Sequence, residues 1–218
     1  MLSYSVIFLF SILPGLLWVW FFSAKDVHRE PPAMLMKTFV AGMVSVLPAA
    51  FLEIPLRPYL TDNSGLSSSL IFALFAIGLV EEGVKLGAAY LAALRTSWCD
   101  EPVDAVIYAV TAALGFATAE NAVYILAYGT EVALIRAVLT NIAHASFAGI
   151  YGVAAGLIKI YKLSPAAIWP SFAGAVLLHA TYDLFVVLQL VPPFIAVLLV
   201  YAIYRYVINK LHELQDAG

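Results

Sequence analysis

The stretch that decides the fold runs from Leu70 to Leu94 and reads LIFALFAIGLVEEGVKLGAAYLAAL. Its length and its apolar composition predict a helix that spans a membrane. Inside this helix stand two adjacent glutamates, Glu81 and Glu82, and Lys85 follows them closely. A charged side chain at bilayer depth costs roughly 3 to 17 kcal/mol. We therefore expect these groups to be paired, to face a water-filled cavity or to take part in chemistry.

The composition of the whole chain agrees with a membrane location. Of the 218 residues, 63% are hydrophobic and only 11% are charged, whereas a soluble domain carries about 25% charged residues. The mean hydropathy is +0.95. The net charge of −3 leaves no basic face that could neutralise phosphates, so no nucleic-acid partner is expected. The composition predicts an integral protein surrounded by the lipid bilayer.

The apolar stretches predict an all-α, polytopic transmembrane helix bundle that forms a single integral membrane domain over residues 1–218. The first 24 residues carry no charge and lack the basic region of a secretory signal, so they are interpreted as a retained first span. About 20 apolar residues cross a bilayer core. On that basis about seven spans are predicted, at residues 2–23, 36–53, 68–94, 103–128, 133–158, 165–188 and 193–208.

Basic residues in the short connections predict the orientation of the bundle. With the N-terminus outside the cell, only Arg57 and Arg136 fall on the outer side, and Lys85 lies within a span. The other basic residues all fall on the inner side: Lys25, Arg29, Lys37, Arg95, Lys159, Lys162, Arg205 and Lys210. This excess predicts that the N-terminus is outside and the C-terminus inside.

Polar side chains from three further predicted spans lie at the same depth as the two glutamates. They are Glu120 in the fourth span, His144 in the fifth, and His179 and Asp183 in the sixth. With a rise of 1.5 Å per residue, all of these groups fall about 8 to 20 Å below the outer surface. Random polar residues would scatter in depth, so the shared layer predicts a single site.

Spacing within the helices indicates how these groups could act together. His179 and Asp183 are four residues apart, as are Glu81 and Lys85, so the members of each pair share a helix face. Lys85 could neutralise one glutamate and leave the other to act as a general base on water. The histidines could stabilise an oxyanion or pass protons. Taken singly, each group could also be a structural ion pair or a buried histidine held by hydrogen bonds.

Four short motifs give the chain a resemblance to a known family. The pattern EExxK is matched by residues 81–85, FxxxE by residues 116–120 and HxxxD by residues 179–183, and a His-Ala pair stands at residues 144–145. In this order, and inside apolar spans, they resemble the PrsW family of bacterial intramembrane proteases, which are distantly related to the CAAX prenyl proteases. The resemblance covers most of the chain.

This resemblance implies a peptidase of the bacterial plasma membrane. Its substrate would be a single-pass membrane protein of the anti-sigma factor type, cut near its extracytoplasmic side in the first step of a stress-response cascade. The residues that it implicates in catalysis are Glu81, Glu82, Lys85, Glu120, His144, His179 and Asp183. The first glutamate would activate water while the lysine holds the second. The acid of the fourth span and the histidine of the fifth would orient the water or share its proton, and the pair in the sixth would stabilise the tetrahedral intermediate.

The use of a metal is left open by these residues. The family has been classed among the metallopeptidases, and Glu81, Glu120, His144 and His179 could supply the three protein ligands of a catalytic zinc. No HExxH motif is present in the sequence. The expectation is that no metal is obligatory and that zinc is a possible ligand.

Two other functions compete with the peptidase. Buried acids and histidines also mark ion pathways, so a proton- or ion-coupled transporter is the main alternative. Transporters often contain inverted repeats, and the sequence shows no internal repeat. A non-catalytic membrane partner is the third possibility. The sequence indicates no oligomeric state.

Overall fold

The computed structural model describes residues 5, 8–60, 67–188 and 191–216, and over these ranges it is helical with no strand. The predicted all-α class is therefore confirmed. We number the main helices in chain order. They are α1 (Phe8–Ser23), α2 (Pro32–Leu60), α3 (Ser68–Leu94), α4 (Pro102–Tyr128), α5 (Ala133–Tyr161), α6 (Trp169–Leu188) and α7 (Pro193–Asp216).

The helices begin where the sequence supplies suitable first residues. Proline opens α2, α4 and α7, where its missing N–H breaks no helical hydrogen bond. The side chain of Ser67 caps α3 by accepting a hydrogen bond from the N–H of Leu70. Gly129 ends α4 with a φ of 84°, a left-handed conformation that glycine adopts without strain. The connection between α2 and α3, at residues 61–66, lies outside the described residues.

In the described part of the chain, three helices contain a π-helical turn. It opens α1 at Phe8–Ile12, closes α3 at Tyr90–Leu94 and lies within α5 at Arg136–Thr140. Such turns widen the helix by one residue and occur often at functional sites. The turn in α5 directly precedes the helical segment that carries His144.

Within the described ranges, four helices are long and apolar enough to cross a membrane, namely α2, α4, α5 and α7. The shorter apolar helix Phe8–Ser23 adds a further candidate. The two helices outside this set, α3 and α6, carry Glu81, Glu82, Lys85, His179 and Asp183 of the predicted site. The total of seven spans and the outside position of the N-terminus remain predictions.

Helix α4 lies at the centre of the molecule, with almost all of its residues buried. It approaches α2 closely because small residues face each other: a Cβ built on Gly115 would lie 2.0 Å from the carbonyl oxygen of Phe39. Close approach through small residues is the usual way in which helices pack in membranes. Helices α2, α3 and α5 pack against α4, and α6 packs against α3 and α5. This arrangement brings the polar residues of the helices together.

Candidate active site

Lys85 lies at the centre of the polar cluster. Its ammonium donates hydrogen bonds to Oε2 of Glu81 at 3.1 Å and to Oε1 of Glu82 at 2.9 Å. The same Nζ lies 2.7 Å from Nδ1 of His144 on α5. The i,i+3 and i,i+4 spacing on α3 places both carboxylates over the lysine. One cation thus connects the two glutamates of α3 with the imidazole of a neighbouring helix.

His144 links Lys85 to a second ion pair. Because the ammonium is a donor, Nδ1 of His144 accepts, and its Nε2–H donates to Oε2 of Glu120 at 3.2 Å. Arg136 on α5 also donates to this carboxylate at 2.8 Å, and its Nε donates to Asn121 at 2.9 Å. A continuous hydrogen-bonded chain therefore runs from α3 through α5 to α4.

His179 on α6 completes the cluster. Its Nδ1 lies 2.7 Å from Oε1 of Glu82. Its Nε2 lies 3.7 Å from Oε2 of Glu81 and 3.4 Å from Oδ2 of Asp183. Glu82 fixes the direction of the ring, so the second nitrogen is turned towards the carboxylates of Glu81 and Asp183.

The two adjacent glutamates differ in solvent exposure. Glu82 and Lys85 are fully buried at 0% exposure, whereas Glu81 retains 7%. The side chains of Glu120 and Asp183 are more open, at 20% and 23%. Reactants would reach Glu81 and these two acids before they reach Glu82.

Two phenylalanines form the apolar walls of the cluster. The ring of Phe147 stacks on His179 with a centroid separation of 5.1 Å. The ammonium of Lys85 lies 4.4 Å from the centroid of Phe116, in cation–π contact. These rings keep water from most of the charged groups and so strengthen the electrostatic interactions between them.

All seven residues that the sequence singled out as a site lie in this one cluster. They come from four helices, as their shared depth predicted. Sequence reasoning missed Arg136, which it counted as an outer-loop charge although the side chain turns inwards to Glu120. It also missed Glu53 near the end of α2, a partly buried carboxyl that interacts electrostatically with Glu81. Both residues could have been found from one sequence feature, because each is a charged residue at the edge of a predicted apolar span.

One group in the cluster is suited to hold a metal ion. Ligand atoms of Glu81, His144 and His179 lie within 4.8 Å of one another, and all three residues are buried. One carboxylate and two imidazoles are a common catalytic zinc set. The contact between Glu82 and His179 resembles the carboxylate that orients a metal-bound histidine. The donor set therefore fits zinc, although Lys85 contacts Glu81 and His144 and would compete with the ion.

The role of Glu120 as a possible further metal ligand stays a prediction. Its carboxylate lies outside the three-residue group in the described part of the chain. The physical reason is the neighbouring cation, because Oε2 of Glu120 accepts hydrogen bonds from Arg136 and from His144.

The fold and the cluster define a helical membrane protein with buried groups able to transfer protons. A family model described as PrsW family intramembrane metalloprotease matches residues 30–208, and the chain belongs to this family. It is 33% identical over 175 residues to the Protease PrsW of Geobacillus kaustophilus, which covers 79% of this chain and 76% of the relative. The Protease PrsW of Bacillus subtilis is 30% identical over 175 residues, with 79% and 78% covered.

A third relative, the Protease PrsW of Clostridioides difficile, is 37% identical over 148 residues, which are 65% of this chain and 61% of the relative. No solved structure matches the chain. Family membership confirms the resemblance found in the sequence and makes the chain an intramembrane protease. It agrees with a multi-pass membrane location and does not favour the transporter alternative.

Proposed function

We propose that this protease cuts a single-pass, membrane-anchored regulatory protein by means of a water molecule activated by Glu81. The observation that carries the proposal is the contact of Glu81 with a buried cation and two imidazoles. Lys85 lies 3.1 Å from its Oε2, and His179 and His144 lie 3.7 Å and 4.0 Å from the same oxygen. A carboxylate held in this way can take a proton from water and later return it to the leaving amine.

Glu82 supports the reaction without touching the substrate. It is fully buried, and its Oε1 is engaged by both Lys85 and His179. Its negative charge balances that of Lys85, so the charge of Glu81 remains available to take a proton from water. It also holds His179 in one orientation, which a positioned catalytic group requires.

The remaining groups act on the carbonyl oxygen and on the proton. His179, with Asp183 at 3.4 Å, faces the same space as Glu81 and would donate to the oxyanion of the tetrahedral intermediate. His144 and Glu120 would orient the water or share its proton through their 3.2 Å hydrogen bond. Arg136 would keep Glu120 in place.

Zinc is compatible with the same cluster. The ion would be held by Glu81, His144 and His179. When bound, it would lower the pKa of a coordinated water to about 7 and polarise the scissile carbonyl. We propose that it is not obligatory, since the ammonium of Lys85 already places a positive charge against two of these three groups.

The charge distribution supports the proposed side of cleavage, and the resemblance to the family supports the proposed substrate class. The excess of basic residues in the predicted inner connections favours the N-terminus outside, which puts the polar layer nearer the outer surface. A peptide bond near the extracytoplasmic end of a transmembrane substrate would reach this layer. We propose an anti-sigma factor type of substrate, cut in the first step of regulated proteolysis during a stress response.

The test is cleavage in membranes that contain the protease and a tagged single-span anti-sigma factor. Glu81→Gln keeps the shape of the side chain and removes the base, so cleavage should fall by at least about a hundredfold. Glu131→Gln is the matched control, because Glu131 is an exposed glutamate. Both variants are checked for equal protein level in the membrane.

The outcomes separate the possible functions. Loss of cleavage for Glu81→Gln alone, at normal protein level, supports the proposed mechanism. Unchanged cleavage removes Glu81 from the role of base. Proton flux without any substrate, abolished by the same change, would favour a carrier instead.

A further inference from the structure

A second group of acids lies far from the active site, at the opposite end of α4. It consists of Asp26 and Glu30, from the connection between α1 and α2, and of Asp104 in the first turn of α4. Asp104 precedes Glu120 by 16 residues, which corresponds to about 24 Å along the helix. The two groups are therefore separate.

The three carboxylates are buried and close together. Asp26, Glu30 and Asp104 are 4%, 6% and 1% exposed. One oxygen from each lies within 4.8 Å of one oxygen from each of the others. Three negative charges at such distances in a dry environment repel strongly unless something neutralises them.

Protein groups satisfy one oxygen of each carboxylate. Oδ1 of Asp26 accepts from the N–H of His28 at 3.0 Å, and Oε2 of Glu30 accepts from the hydroxyl of Tyr108. Oδ2 of Asp104 accepts from the two N–H groups of residues 100 and 101 at 2.9 and 2.6 Å. The carboxyl groups of Glu30 and Asp104 also share a hydrogen bond with each other, whereas the second oxygen of Asp26 takes no part in these bonds.

Asp26 gives the sharpest sign of a missing ligand. Its Oδ2 is buried and has no hydrogen-bond partner. Among the described residues, no basic side chain forms a salt bridge with any of the three acids. Lys159, whose charge acts on the neighbouring Cys99, donates to the carbonyls of Leu94 and Thr96 instead. Burial holds the pKa of Asp26 and that of Glu30 above their ordinary values, although the positive charge of Arg29 offsets part of the effect on Asp26 and hydrogen bonds offset part of the effect on Glu30.

We propose that Asp26, Glu30 and Asp104 form a binding site for a hard divalent cation of the magnesium and calcium class, distinct from the active site. Carboxylate oxygens are the ligands that such ions take, and the set contains no sulfur or imidazole that would favour zinc. The ion would bind the oxygen of Asp26 that has no hydrogen-bond partner. A cavity of about 420 Å³ lies beside the site and is lined by Glu30, by Arg29 and otherwise mostly by apolar side chains.

The bound ion would tie the connection between α1 and α2 to the start of the central helix. Asp26 and Glu30 stand on that connection, while Asp104 belongs to the capping box that opens α4. Since the ion binds the folded chain, it should stabilise the protein by mass action. This site goes beyond the proposed proteolytic function and does not depend on it.

The test uses the full-length protein in detergent with Mn²⁺ as a paramagnetic probe and Mg²⁺ or Ca²⁺ as competitors. Glu81→Gln is introduced as the background, because the active-site group could also bind Mn²⁺. We expect saturable Mn²⁺ binding that either competitor displaces. Adding Asp26→Asn should weaken it by at least about tenfold. Asp100→Asn, which removes an exposed acid close by, should change it by less than about twofold.

Thermal unfolding gives a second readout. Mg²⁺ or Ca²⁺ should raise the unfolding midpoint of the background protein but not that of the Asp26→Asn variant. If Asp26→Asn does not fold, Glu30→Gln takes its place, and if neither folds, Mn²⁺ binding to the background protein decides. Absence of saturable binding, or binding unchanged in a folded acidic variant, overturns the proposal and leaves three protonated acids that share hydrogen bonds.

Discussion

Nζ of Lys85 lies 2.7 Å from Nδ1 of His144, so a cation on α3 and an imidazole on α5 share a hydrogen bond in the interior of the bundle. The contact makes Lys85 more than a counterion for the neighbouring glutamates. It sets the tautomer of His144 and so directs the Nε2 proton to Glu120. Charge balance and proton direction in this site depend on the same ammonium group.

Replacing Lys85 by methionine should therefore damage both stability and activity. The change leaves the fully buried Glu82 with His179 but without its lysine, and removing one partner of a buried ion pair costs about 3 to 5 kcal/mol. We expect a lower thermal unfolding midpoint, measured by tryptophan fluorescence in detergent, and no detectable cleavage.

Arg205→Met is the control for this change, because it removes an exposed basic residue of α7. Its midpoint should stay close to that of the parent. If Lys85→Met unfolded at the parent temperature, Glu82 would not depend on Lys85 for its charge balance.

Arg136 and Glu120 should act as one unit in catalysis. Arg136→Gln removes the 2.8 Å partner of the Glu120 carboxylate, and we expect the cleavage rate to fall by about 10 to 100-fold, because a misplaced group loses its productive geometry. In a Glu120→Gln background the same change should have a much smaller effect. The measurement is a double-mutant cycle on the cleavage rate.

Arg57→Gln serves as the control for the cycle, since Arg57 is an exposed arginine near the end of α2. Its effect should be small in both backgrounds. Fully additive losses for Arg136 and Glu120 would mean that the ion pair does not position Glu120.

The sequence predicted how deep the site residues lie in the membrane, but not the direction in which side chains point. Counting residues along apolar spans placed Glu81, Glu120, His144 and His179 in one layer, because the helical rise is constant. Hydropathy does not tell which way a side chain at the edge of a span points. Arg136 was taken as a surface charge for that reason, and a π-helical turn at Arg136–Thr140 further alters which face of α5 it occupies.

The helix bounds were also predicted only in part. Apolar runs predicted the start of each helix that opens with a proline to within about four residues, as at Pro102. The last helix was predicted to end at residue 208, but it continues to Asp216. Hydropathy reports the membrane-embedded part of a helix, whereas the polar final turns are held by the packing of Leu211, which is fully buried.

Removal of metal should leave proteolysis largely intact if Lys85 supplies the positive charge of the site. Its Nζ contacts Glu81 and His144, two of the three groups that could hold zinc. After treatment with dipicolinate, we expect the purified protease to cleave within about twofold of its untreated rate. Loss of activity that stoichiometric zinc restores, with zinc found in the untreated protein, would contradict this.

The close approach of α2 and α4 should make Gly115 sensitive to a single added methyl group. A Cβ at this position would lie 2.0 Å from the carbonyl oxygen of Phe39, which is backbone and cannot turn away. We expect Gly115→Ala to destabilise the protein by about 1 to 3 kcal/mol. Gly87→Ala is the matched control on α3, where nothing lies within 4 Å, and it should be neutral or stabilising by up to about 1 kcal/mol. Equal midpoints for both variants, in thermal unfolding, would argue against tight packing of α2 on α4.

Cys99 should resist alkylation as long as the protein is folded. It is the only cysteine, it is 1% exposed, and burial raises the pKa of its thiol to about 12. The thiolate is the reactive form, so at pH 8 only about one thiol in ten thousand is available, and the labelling rate should rise about tenfold for each unit of pH.

Maleimide labelling should be rapid after unfolding in SDS. A cysteine at the exposed position 97, introduced by Ser97→Cys together with Cys99→Ser, should react at least about a hundredfold faster in the folded state. Similar rates at the two positions would show that the connection between α3 and α4 opens readily, and the packing of Cys99 against the start of the central helix would then not hold in solution.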